Sequence, residues 1–321
     1  MDNLCHTLVG AALGEAGLKR KTPLAMATLL IGANLPDLDA ASYAWGPVTA
    51  LSFRRGWTHG VLAMAVAPIV LTGAVLAWDR LVRRRRNPAA QPALPWWLVV
   101  LAALAVWTHP LLDFLNTYGV RWLTPFSDRW HYGDTLFILD PWVWLMLGAG
   151  VWLTRRRARH GRPGAPGPAR VGLAASVVYV ALMGAGTLAG RGMAAATLPS
   201  AAPFMVEPVP VLPFMRRVVA DLGDRYERST VLLFPRPGVT PAMEVVDKGR
   251  ALPEALTAAQ SPDGRAFLRW ARFPVFRVER HGPLAVVTIG DERYPDQDWA
   301  SVSIRVAQPV SLHLPTRAEH P

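Results

Sequence analysis

Three histidines and three aspartates, His6, Asp37, Asp39, His59, His109 and Asp113, lie inside or at the mouths of strongly apolar segments. A titratable group in hydrocarbon surroundings is costly unless something compensates it, so such a cluster reads first as a functional site. Imidazoles and carboxylates together are ligands for a divalent cation, which would supply the compensation. His109 and Asp113 are spaced i, i+4, so on a helix they project from one face and can hold one ion between them. Asn116 and Thr117 continue that stripe. The same pair can also be a buried histidine hydrogen-bonded to the aspartate one turn on.

Asp37 and Asp39 follow Pro36, which disfavours a helical Leu35 and predicts an extended turn. Residues two apart on such a turn point to the same side. Asp37 could then bridge metals, with Asp39 as a ligand or general base; an aspartate N-cap is the alternative. His59 ends Arg54-Arg55-Gly56-Trp57-Thr58-His59 at the entrance to an apolar run, where a Thr-His pair could simply cap the helix. Arg54 and Arg55 suit a bidentate grip on phosphate. His131 and Asp134 are further candidates for ligation or proton transfer, Asp128 reads as solvated, and Asp140 before Pro141 needs a partner. Cys5 reads as a packed thiol, and His160, His281, His313 and His320 are assigned no role.

The elements that must position these groups belong to a membrane protein. The chain of 321 residues is 51% hydrophobic with positive mean hydropathy. Segments 60–82, 96–115, 136–153 and 171–190 are long enough, or nearly so, to cross ~30 Å of hydrocarbon as helices. Two shorter segments, 4–18 and 23–35, precede them, and Gly10 and Gly14 would let these two pack as a tight hairpin. Of the net charge of +11, residues 1–190 carry +9 (18 Lys/Arg against 9 Asp/Glu). That charge falls in clusters at 19–21, 83–86 and 155–170, in alternate connections. It therefore reads as a positive-inside topology signal and not as a nucleic-acid surface. All six titratable residues then reach the opposite, outer side. A single cysteine excludes an intramolecular disulfide, and positive charge following the first apolar run does not suit a cleavable signal.

The Pro-rich stretch 198–213 reads as an extended linker. Beyond it, short alternating runs at 230–234, 275–279, 284–289 and 301–306 predict strands, and 251–260 a helix. The expected fold is an α-helical polytopic membrane domain with about six membrane-embedded helices, the first two short, followed by a small α+β soluble domain. The expected boundaries are a membrane domain at 1–190, a linker at 191–214 and an extracytoplasmic domain at 215–321.

Leu35-Pro36-Asp37-Leu38-Asp39, Arg55-Gly56-Trp57-Thr58-His59 and Thr108-His109-Pro110-Leu111-Leu112-Asp113 running on to Thr117-Tyr118-Gly119, after an N-terminal His, resemble the YdjM-like inner-membrane family, described as metal-dependent hydrolases. The resemblance covers roughly residues 1–150 and departs at Arg54, where the family usually has His, and at Gly60, where it usually has Ser. The order His, Asp, His, then His-x-x-x-Asp is also distantly similar to zinc-dependent phospholipase C and P1-type nuclease. That likeness implies His6, Asp37, His59, His109 and Asp113 as ligands, with His131 and Asp134 completing a set around two or three zinc ions.

The function expected from these readings is a multi-pass hydrolase of the bacterial inner membrane, divalent-metal-dependent and with its site at the outer face. It would act on phosphoesters of lipid or envelope origin, with Asp37 and Asp39 catalytic, Arg54 and Arg55 on phosphate, and membrane lipids as partners. A transporter or ion-binding membrane protein without hydrolysis is the competing class, although no internal repeat is evident and the polar groups cluster at helix ends. A structural protein whose membrane part anchors the outer domain is a third.

Overall fold

The computed structural model describes residues 1–295 and 297–307; His313 and His320 lie outside the described residues. Helices α1 (Asn3–Glu15) and α2 (Ala25–Asn34) form the first hairpin, followed by a 3-10 helix (Leu35–Trp45) and the short α3 (Pro47–Phe53). Helix α4 (Val61–Trp78) continues through a wider π turn (Asp79–Arg83) into α5 (Arg84–Arg86). Then come α6 (Pro95–Phe114), α7 (Pro141–Arg159) and α8 (Gly167–Ala195).

Among the described residues three helices are long and apolar enough to cross a membrane: Val61–Arg86, Pro95–Phe114 and Gly167–Ala195. The expected count of about six is not reached on length and composition. Helix α7 carries Arg155, Arg156, Arg157 and Arg159 in its last turns. With 13 and 10 residues, α1 and α2 rise only ~20 and ~15 Å, short of a full crossing.

Close backbone approach sets the packing of the short helices. A Cβ on Gly10 would stand 2.8 Å from the Leu29 carbonyl oxygen, so α1 and α2 meet as tightly as the sequence predicts. A Cβ on Gly32 would stand 2.9 Å from that of Ala105, which lets α2 lie directly on α6. Ala25, Leu29, Ala33, Leu101 and Ala105 fill that contact. This approach brings the end of α2 against the last turns of α6, where His109 and Asp113 sit.

At Pro36 the chain departs from expectation. Leu35 keeps helical dihedrals (φ −59°, ψ −41°), and the chain tightens into a 3-10 helix instead of extending. Proline has no N–H to donate to the carbonyl one α turn back, so the α ladder ends there while its fixed φ still suits a helix.

In the C-terminal part, β1 (Phe204–Val209), β2 (Leu212–Asp221), β3 (Arg225–Leu232) and β4 (Gly238–Val239) lie in that order in one sheet, with β5 (Glu244–Asp247) pairing β3. Helices α9 (Pro253–Gln260) and α10 (Pro262–Trp270) precede a second antiparallel sheet of β6 (Pro274–His281), β7 (Leu284–Asp291) and β8 (Ser301–Ala307). The expected strands at 230–234, 275–279, 284–289 and 301–306 fall on β3, β6, β7 and β8.

Two compact units result: Met1–Ala220 with Glu227–Val245, and Asp221–Tyr226 with the described residues from Val246 onward. The stretch expected as a linker therefore lies within the first unit, where Phe204–Val209 pairs with β2 from Phe204↔Ala220 onward. Proline is compatible with β1 because it is an edge strand, where a missing N–H breaks no ladder on the open side. Val206, Val218 and Val231 pack with Ala194 at the end of α8.

Candidate metal centre

Helix α6 supplies two of the centre's fully buried groups. His109 and Asp113 are both fully enclosed, with His109 Nε2 at 3.6 Å from Asp113 Oδ2, as the i, i+4 spacing predicts. Nδ1 of His109 lies 2.6 Å from the carbonyl oxygen of Ala33, at the end of α2. A carbonyl only accepts, so Nδ1 carries the ring proton and Nε2 presents a lone pair. That Nε2 is buried with no hydrogen-bond partner. An orphaned, inward-facing imidazole lone pair is what a metal ligand looks like in a metal-free structure.

His59 arrives from the loop before α4 and is oriented from behind. Thr58 Oγ1 donates to Asp39 Oδ2 at 2.9 Å, and His59 Nδ1 lies 2.8 Å from the same hydroxyl. With its proton committed to the carboxylate, the hydroxyl accepts from Nδ1–H. His59 Nε2 is thereby turned toward Asp113 Oδ2 at 3.1 Å. Two electron-rich atoms at that separation need a cation between them, whether a proton or a metal ion. Burial favours neutral His59, yet its hydrogen bonds to Asp113 and Asp39 outweigh that and raise its pKa.

Asp37 completes the set from the 3-10 helix. Its Oδ1 is 3.7 Å from His109 Nε2, and its Oδ2 accepts from Asn3 Nδ2 at 3.0 Å. One potential ligand atom from each of Asp37, His59, His109 and Asp113 lies within 4.8 Å of the others. Four such donors gathered around His109's unpartnered Nε2 would be able to hold one divalent ion. Nitrogen and carboxylate oxygen donors suit zinc or a related divalent metal.

The other expected residues are distributed around this group. His6 stacks on His109 with ring centroids 3.6 Å apart, and its Nε2 is 3.4 Å from Asp113 Oδ1. Asp113 Oδ1 also pairs with the α-amino group of Met1. Asp39 does not share a side with Asp37, because at three residues per turn positions two apart diverge. It faces backward instead, accepting from the Arg55 backbone N–H at 2.8 Å and from Thr58. Burial would raise its pKa, but His59 and the Arg55 N–H together lower it.

Arg55 turns inward, with Nε 3.1 Å from Asp113 Oδ2 and Nη1 donating to Asn116 Oδ1 at 3.0 Å. It also lies over the Tyr118 ring at 4.4 Å. Those contacts occupy the guanidinium that was expected to hold phosphate. Arg54 is the more accessible arginine, with Nη2 at 3.5 Å from Asp37 Oδ1.

His131 and Asp134 do not join the group of four. His131 exchanges backbone hydrogen bonds with Val120, and Asp134 pairs with Arg191 of α8 at 2.9 Å. Asp140 has the partners its burial requires: its Oδ1 caps α7 at Trp142 and Val143, and its Oδ2 accepts from Tyr179. Sequence reasoning missed Asn3 and Arg121. Arg121 Nη2 donates to the carbonyls of Ser52 and Arg54 at 2.6 and 3.1 Å, fixing the segment that carries both arginines. Its position in a connection assigned outward by charge bias was the available signal.

The model of the YdjM inner membrane protein family matches residues 1–192, and the chain belongs to that family. The matched region contains the whole group of four. An uncharacterised protein, YfhP of Bacillus subtilis, is 25% identical over 164 residues, which is 47% of this chain and 46% of the relative. The chain thus spans about half the length of that curated relative. No solved structure matches, so the likeness to zinc phospholipase C and P1-type nuclease rests on ligand order alone.

Proposed function

We propose that this YdjM-family membrane protein is a divalent-metal-dependent hydrolase acting on phosphoesters of lipid or envelope origin, with α1, α2 and α7 completing the membrane-embedded bundle and the site at its outer face. The observation that carries the reading is the buried, unpartnered Nε2 of His109, set among Asp37, His59 and Asp113. These four residues would hold the ion. A divalent ion in such a place supplies Lewis-acid stabilisation of negative charge on a phosphoryl group and activates water near neutral pH.

The protein's own groups do the rest. Asp39 and Thr58 hold His59 in one tautomer, and the Ala33 carbonyl does the same for His109. Asp37 has a side chain still 10% exposed, against none for Asp113 and His109. It is therefore the ligand carboxylate nearest the mouth, from which it would orient an attacking water by hydrogen bonding. Arg54 beside it is placed to pair with non-bridging phosphate oxygens. Arg55, fixed on Asp113, balances charge inside the site.

The complete enclosure of His109 and Asp113 also favours a second reading, a buried ion site that stabilises the fold without hydrolysis. Turnover separates the two. Purified protein should cleave a phosphate ester only when metal-loaded, and chelation or Asp37→Asn should abolish cleavage. A metal-loaded protein inert toward phosphomonoesters and phosphodiesters alike would refute the hydrolase reading.

A further inference from the structure

The 3-10 helix Leu35–Trp45 and the segment that follows it present two chemically opposite faces. Asp39 is buried behind His59, and Asp37 is nearly buried beside His109 Nε2. Between and after them, Leu38 is 67% exposed, Trp45 72% and Trp57 54%, with Tyr43 and Phe53 also exposed. The polar groups at the mouth are Asn3, Asp37 and Arg54. Each has an exposed apolar neighbour: Leu4 follows Asn3, Leu38 follows Asp37, and Tyr43 packs on the Arg54 guanidinium.

A soluble protein rarely exposes so many large apolar side chains together, and a rim of tryptophan and tyrosine suits the boundary between headgroups and acyl chains. Trp57 lies four residues before Val61, where a helix long and apolar enough to cross a membrane begins with the exposed Val61 and Leu62. A mouth with one cation and one metal-ligating carboxylate, edged by hydrocarbon, fits a molecule with an anionic head and an apolar tail.

We infer that residues 35–57 form a collar seated in the headgroup layer, and that the site draws from the bilayer an amphiphile bearing a phosphate ester. The tail stays among the lipids beside Leu38, Trp45 and Trp57 while the phosphate reaches Arg54 and the metal ligands. This rests on the hydrolase reading and decides between its two substrate sources, lipid and soluble.

The test uses the full-length protein in lipid nanodiscs. Cys5 is fully buried, so a nitroxide introduced through Trp45→Cys or Trp57→Cys reports its own position. Both labels should collide more with oxygen than with a water-soluble nickel chelate. A Trp45→Glu/Trp57→Glu variant should keep its bound zinc and its turnover of p-nitrophenyl phosphate. Its hydrolysis of bilayer-held dioleoyl phosphatidic acid should fall by about tenfold or more, the change that 1.4 kcal/mol produces. Labels more accessible to the nickel chelate would overturn the collar. Undiminished hydrolysis of the bilayer-held lipid, or equal loss on both substrates, would overturn entry from the membrane. If the unaltered protein cleaves neither ester, the hydrolase reading fails with the substrate assignment, and the label depths still decide whether the collar exists.

Discussion

Replacing Asp39 with Asn separates orientation from ligation at this centre. The carboxylate accepts from the Arg55 N–H at 2.8 Å and from Thr58 Oγ1 at 2.9 Å, both on Oδ2. Asn keeps the shape and one acceptor oxygen but loses the charge. Hydrogen bonds to a charged acceptor contribute ~1.5–3 kcal/mol and neutral ones about half as much. Two weakened bonds therefore amount to a loss of about 2 kcal/mol in stability. Because Thr58 holds His59, the metal site loosens as well, and loss of a group that orients a ligand costs about 10–100-fold in affinity.

Zinc titration against a chromophoric chelator in detergent measures the affinity, and thermal unfolding of the metal-free protein measures the stability. The sign of the pH effect follows from Asp39's lowered pKa. Its stabilisation is fully present above the unfolded value near ~3.9 and is lost as pH falls through the lower folded value. The gap between Asp39→Asn and the parent should persist down to about pH 4 and close below it. Unchanged zinc affinity would refute the orienting chain from Asp39 through Thr58 to His59. Complete loss of zinc would make Asp39 a ligand.

The two neighbouring arginines should behave differently. Arg55→Ala leaves the Asp113 carboxylate buried without its guanidinium and should destabilise the metal-free protein by ~3–5 kcal/mol, whereas Arg54→Ala should leave melting unchanged and raise KM for phosphate esters. Gly32→Val forces α2 away from Ala105 and should cost ~1–3 kcal/mol through overpacking, while loosening the Ala33 contact with His109 enough to lower zinc affinity. Reporter fusions at Ala90 and Gly164 should be cytoplasmic and one at Ser127 external; an external Gly164 would overturn the assignment of sides.

The helical pair His109 and Asp113 was legible in the sequence because i, i+4 spacing within one helix fixes relative position without tertiary information. The geometry after Pro36 was not legible. The extended and 3-10 conformations both satisfy proline, and they send Asp37 and Asp39 to the same or to different sides. The chain adopts the second. Arg54 and Arg55 looked equivalent for the same reason, since the fold alone directs one guanidinium to Asp113 and the other toward the mouth. The stretch 198–213 misled because its prolines suit an extended chain, and an edge strand is one. Arg121 and Asn3 act through contacts distant in sequence, which no local pattern announces.

The central claim is that Asp37, His59, His109 and Asp113 hold a divalent ion, and metal analysis of purified protein tests it most directly. Inductively coupled plasma measurements should find about one zinc or related ion per chain in the parent protein. His109→Ala and Asp113→Asn, each confirmed as folded by its helical circular dichroism, should contain almost none. Full metal stoichiometry in folded His109→Ala would contradict the account.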